Sequence, residues 1–85
     1  MQDDSLFHLL VLSFSNAALV GLGLVPDPDG GATGKNLDLT GHNIDLLEML
    51  QHKTKGNLTD EEKHLLDGLL YDLRLKDCEA RRGAQ

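Results

Sequence analysis

The chain has 85 residues, a length for one domain, and its 14 acidic against 8 basic side chains give a formal net charge of −6. So acidic a chain gains nothing from a phosphate backbone or an anionic lipid surface, which argues against nucleic acid and anionic membranes as partners. Aromatic residues are 4% of the chain and Trp is absent, so Leu has to build the core. At this size only about 60% of the unfolded surface is buried on folding, so the fold packs very well or borrows a partner's surface. The single cysteine, Cys78, allows no internal disulfide and predicts a reducing, cytoplasmic setting. The opening Met1-Gln2-Asp3-Asp4 lacks the positive start of a secretory signal, and no small-residue cleavage site follows the apolar stretch, so no cleaved signal is expected.

The first predicted helix covers about 5–25 and carries no Asp, Glu, Lys or Arg. Asp4 or Ser5 is the expected N-cap, and Asp3 and Asp4 suit the positive end of the helix dipole. At 100° per residue, Leu6, Phe7, Leu10, Val11, Phe14, Ala17, Ala18, Gly21 and Leu24 fall on one broad face. Leu9, Leu12, Leu19 and Val20 occupy the remaining sides. A helix apolar all round is expected to be buried all round. Two partner helices in so short a chain do not suffice, which predicts a second copy or, alternatively, a membrane-associated protein anchored by this helix. Asn16, among Ala17, Ala18, Gly21 and Gly23, is the residue expected to set register between closely paired helices. Ser13 and Ser15 are expected to bond back to helix carbonyls.

Residues 26–36 read PDPDGGATGKN, a flexible loop: two prolines stop the helix and three glycines loosen the chain. The second helix is predicted over about 39–55, capped by Asp38 or Thr40, with Leu39, Leu46, Leu47 and Leu50 on one arc flanked by Ile44 and Met49. Lys53 and Lys55 complement its last turn, and Gly56 stands where a left-handed residue ends a helix. The third helix, over about 59–80, opens on a capping box, Thr59-Asp60-Glu61-Glu62. Leu65, Leu66, Leu69, Leu70 and Leu73 form its main stripe; Tyr71, Leu75 and Cys78 form a second on another side. The short Gly56-Asn57-Leu58 link makes the second and third helices an antiparallel hairpin. The fold class expected is therefore all-α: one domain over 1–85, a hairpin plus a very apolar N-terminal helix, completed by oligomerisation.

Chemical motifs are incomplete. Gly30 to Asn36 looks like a phosphate loop, but Asp29 and Asn36 stand where that motif needs Gly and Ser or Thr. Glu61-x-x-His64 is half of a di-iron motif, and Glu48 with His52 sits at helical spacing, yet the second motif and further carboxylates are missing. His42 has no partner at ligand spacing, His8 reads as a helix-start side chain hydrogen-bonded to backbone or water, and Cys78 has neither a base nor a helix N-terminus beside it. No catalytic residue, metal or cofactor is expected, so the protein is read as a non-enzyme.

The string Lys53-Thr54-Lys55-Gly56-Asn57-Leu58-Thr59, followed by Glu61-Glu62, is unusual. With Ile44-Asp45-Leu46-Leu47 before it, Leu69-Leu70-Tyr71-Asp72-Leu73-Arg74 after it, and Phe7-x-x-Leu10 and Leu22-Gly23 near the start, the pattern resembles the small bacterial domain-of-unknown-function family 1844 over about 6–80. Asp77 and Cys78 stand where that family usually carries an aromatic or apolar pair. The resemblance implies a small, uncharacterised, cytoplasmic bacterial protein and supplies no catalytic residues.

The functional expectation is a homo-oligomeric interaction or structural module. The candidate interface comprises Leu6, Phe7, Leu10, Phe14, Asn16, Ala17, Gly21, Tyr71 and Leu75. A candidate recognition turn comprises Lys53, Lys55, Gly56, Asn57 and Thr59, read first as helix punctuation and second as a cluster of donors for an anion or a partner's carboxylate.

Overall fold

A computed structural model describes residues 3–26 and 35–83 of the chain. Three helices follow one another: α1 (Asp3–Gly21), α2 (Leu37–Lys53) and α3 (Asp60–Gly83). The fold is all-α. Most of the segment expected as a flexible loop, 27–34, lies outside the described residues.

Helix α1 ends four residues earlier than its apolar run suggests. Leu24 N–H donates to Leu19 O at 3.1 Å and Gly23 N–H to Val20 O at 3.0 Å, and Gly23 adopts φ 77°. This is a Schellman stop, in which a left-handed residue lets the chain turn back on the last carbonyls. The stop is therefore Gly23, not the prolines beyond it. Helix α1 also begins at Asp3, so Asp4 and Ser5 lie inside its first turn rather than capping it.

Helix α2 starts two residues before the expected position because its cap is Asn36, not Asp38 or Thr40. The Asn36 side-chain oxygen accepts from Leu39 N–H at 3.2 Å. The helix closes at Thr54, whose hydroxyl and N–H both donate to Leu50 O, at 2.5 and 3.0 Å. Gly56 then turns the chain at φ 88°, the left-handed region an L side chain rarely adopts.

The capping box of α3 forms in both directions. Glu62 N–H donates to Thr59 Oγ1 at 3.1 Å, and Thr59 N–H donates to Glu62 Oε1 at 2.8 Å. The helix continues to Gly83, past the expected end at Ala80.

α2 and α3 form the antiparallel hairpin. Gln51 Nε2 donates to Asp67 Oδ1 at 2.8 Å near the turn, and Arg74 pairs with Glu48 at 2.8 Å in the middle. At the far end Arg81 donates to Leu37 O at 3.1 Å while both Asp77 carboxylate oxygens hold it at 3.0 Å. The pairs advance along the two helices in opposite directions, which fixes the register. Helix α1 packs mainly on α2 and less on α3.

One apolar cluster joins the three helices: Val11 and Ala18 from α1, Ile44 and Leu47 from α2, and Leu66, Leu70 and Leu73 from α3. Phe7, Phe14, Leu19, Leu50, Leu58, Leu65 and Leu69 pack around it, half-buried. The α2 contribution differs from expectation. Its buried face is Thr40, Asn43, Ile44 and Leu47, while Leu39, Leu46 and Leu50 are only half-buried and Met49 is exposed. The two polar members are satisfied: Thr40 Oγ1 donates to Ala18 O at 3.0 Å and Asn43 Nδ2 to Leu39 O at 2.9 Å.

Candidate interaction surfaces

Helix α1, which carries no Asp, Glu, Lys or Arg from Ser5 to Gly21, is not covered all round by its own chain. Val11, Ser15, Ala18 and Leu22 point inward and are buried, with Phe7 and Phe14 beside them. On the opposite side Leu6, Leu9, Leu10 and Leu12 are 50%, 51%, 43% and 48% exposed. Two neighbouring helices cover about half of a helix's circumference, and the other half here is also Leu-rich.

The outer stripe has a period. Leu6, Leu9, Ser13, Asn16 and Val20 alternate spacings of three and four, the a/d spacing of a helix that pairs with another helix. Asn16 is exposed in the middle of this stripe, and Ser13 returns its hydroxyl to Leu9 O at 2.7 Å. Ala17 is half-buried at its edge. The expected interface residues therefore divide. Leu6, Leu10 and Asn16 sit on the open side of α1, whereas Phe7, Phe14 and Gly21 are taken up inside the chain. Gly21 is held against α2: a Cβ there would lie 2.7 Å from Asn36 O and 2.9 Å from Thr40 N.

Tyr71, at 72% exposure, and Leu75, at 49%, lie on the outer side of α3 with Gly68 and Cys78, away from Leu66, Leu70 and Leu73. They form a separate, shorter patch on α3.

The α2–α3 turn holds a solvent-open cavity of about 540 Å³. Its walls include Gln51, His52, Lys55, Leu58, Lys63 and Asp67, with Gly56 at the bend. Of the expected recognition turn, Lys55 and Gly56 line the cavity; Lys53, Asn57 and Thr59 do not. Sequence reasoning missed Lys63 and Asp67. Both sit in the first two turns of α3, where an antiparallel hairpin brings them back over the turn, so the capping box at Thr59 was the signal that placed them.

The cations of the chain are used unevenly. Arg74, Lys76 and Arg81 pair with Glu48, Asp72 and Asp77. These exposed pairs are each worth under about 1 kcal/mol. Lys53, Lys55 and Lys63 have no carboxylate partner among the described residues, although acidic groups outnumber basic ones in the chain.

Glu61, His64 and His52 are all exposed, and among the described residues no group of three or more His, Cys, Asp or Glu gathers as a metal site would require. Among the same residues no helix is long and apolar enough to cross a membrane.

A hairpin closed by a doubly capped turn, with a Leu-rich helix laid against it, defines a small all-α domain. Residues 4–79 match the model of the family described as Domain of unknown function (DUF1844), and the chain belongs to that family. No curated protein and no solved structure matches it.

Proposed function

We propose that the protein is a non-catalytic helical interaction module that associates with copies of itself through the outer face of α1. The observation carrying this reading is the row of half-exposed leucines, Leu6, Leu9, Leu10 and Leu12, on a helix free of Asp, Glu, Lys and Arg from Ser5 to Gly21. Exposed apolar patches of several hundred Å² on small proteins mark interaction sites. Four half-exposed Leu with Ser13, Asn16, Ala17 and Val20 present roughly 500 Å² per chain, so two copies bury about 1,000 Å², the lower bound of a specific interface.

A second copy suits this face better than an unrelated acidic protein surface. The stripe is neutral on both sides of such a contact, so the net charge of −6 stays at the periphery and in solvent. The a/d spacing is self-complementary, as a two-fold interface demands. The lone, exposed Cys78 suits the reducing cytoplasm as the place where this assembly works.

Light scattering after size exclusion in detergent-free buffer tests the reading. A discrete dimer or higher oligomer that dissociates on dilution is the expected result. A folded monomer at every concentration would overturn it, and recovery only in detergent would transfer the α1 face to lipid.

A further inference from the structure

We propose that the cavity at the α2–α3 turn binds a small organic monocarboxylate, with the carboxylate between Lys55 and Lys63 and the apolar stem on Leu58. This site is separate from the α1 face and stands or falls without it.

Charge comes first. Lys55 approaches the cavity from the turn and Lys63 from the start of α3, and neither pairs with a carboxylate among the described residues. Asp67 is the acidic group in the wall, and its Oδ1 accepts from the Gln51 side chain at 2.8 Å. That bond turns the Asp67 charge toward Gln51. Two lysines against one aspartate leave the wall one positive charge in excess, which matches a monoanion better than a phosphate dianion.

The donors point the same way. Lys offers a mobile point charge with three N–H groups, suited to a single carboxylate and lacking the planar fork of Arg. The carbonyls at the end of α2 add no positive potential: His52 O accepts from Lys55 N–H and Leu50 O from Thr54. The recognition is therefore assigned to the side chains.

Volume sets the rest of the ligand. A bare anion fills a small part of 540 Å³, a size within the range of small-molecule sites at about 300–1,000 Å³. Leu58 is half-buried in the wall and supplies the apolar contact for a stem of a few methylenes.

The test is an amide-shift titration of the ¹⁵N-labelled full chain with hexanoate, hexanol and inorganic phosphate. The expected result is saturable shifts confined to 51–67 with hexanoate, several-fold weaker with phosphate and absent with hexanol. The Lys55→Gln/Lys63→Gln double variant, both positions being exposed, should keep its melting temperature and weaken hexanoate by about tenfold or more. Lys53→Gln, outside the wall, should leave binding unchanged. Three results would each overturn the proposal: no saturable shift with hexanoate, equal shifts with hexanol, or phosphate binding as tightly as hexanoate. Unchanged hexanoate binding in a folded double variant would do so as well.

Discussion

The hydroxyl of Thr40 donates to the carbonyl of Ala18 at 3.0 Å, and both residues are fully sealed from solvent. This bond ties the start of α2 to the end of α1, and Gly21 lies against the same hydroxyl. Thr40→Val keeps the shape and removes the donor. Ala18 O still accepts from Leu22 N–H at 3.1 Å, so no buried carbonyl is orphaned. The expected cost is about 1 kcal/mol, seen as a fall in melting temperature of about 4–8 °C by circular dichroism.

Gly21→Ala should cost more, although Ala is the better helix former by about 1 kcal/mol. The new Cβ meets Asn36 O and Thr40 N, both backbone, at 2.7 and 2.9 Å, and backbone does not swing aside. Separating α1 from α2 then outweighs the propensity gain, for a net loss of about 1–3 kcal/mol in urea unfolding. Gly41→Ala is the contrast. Its Cβ meets only the Arg81 Nη2 at 3.2 Å, the far end of a long side chain that can give by a few tenths of an ångström, so the change should be close to neutral.

Thr59→Ala removes the acceptor of Glu62 N–H and loosens the return bond from Thr59 N–H to Glu62. A loss of about 1 kcal/mol is expected. Glu62→Gln keeps an acceptor at the third position and should cost less than Thr59→Ala in the same unfolding experiment.

On the open side of α1, Leu9→Glu should leave the fold intact, because Leu9 is 51% exposed, and should reduce the mass in light scattering to that of one chain. Helix content by circular dichroism should stay unchanged at low salt. Leu47→Ala gives the opposite pattern. Leu47 is fully buried, so the substitution should cost about 2–5 kcal/mol and melt the chain whatever its oligomeric state.

Asn16→Leu should tighten association and broaden it into mixed species. A polar side chain in an a/d stripe specifies the partner arrangement at a cost in affinity, so removing it raises affinity and loses selection. A concentration series by light scattering reads both effects; a single, unshifted species would remove Asn16 from the interface.

What was legible in the sequence was what has a local cause. Thr59 and Glu62 declare a helix start within four residues, and the apolar spacing of Leu66, Leu70 and Leu73 declares a buried side. Gly23 is equally local, but Pro26 and Pro28 carry a louder stop signal, and Leu24 and Val25 extend the apolar run past the true stop. Thr40 and Asn43 were not legible. A polar residue enters the buried side of α2 only because a specific carbonyl waits for it, and Ala18 is 22 positions away in the chain. The open face of α1 was half legible. Apolar composition tells that a side chain prefers burial but not which neighbour provides it, so Phe7 and Phe14 could not be told from Leu6 and Leu10 until the hairpin had a place. The cavity shows the same limit: Lys55 is in the noticed string, while Lys63 joins it through the fold.

Asn36 N–H donates to Gly21 O at 2.7 Å, so the clasp between α1 and α2 is made by residues on either side of 27–34. The bond thus holds two helix ends together against a loop-closure entropy that rises by about 0.6 kcal/mol for each doubling of the separation along the chain.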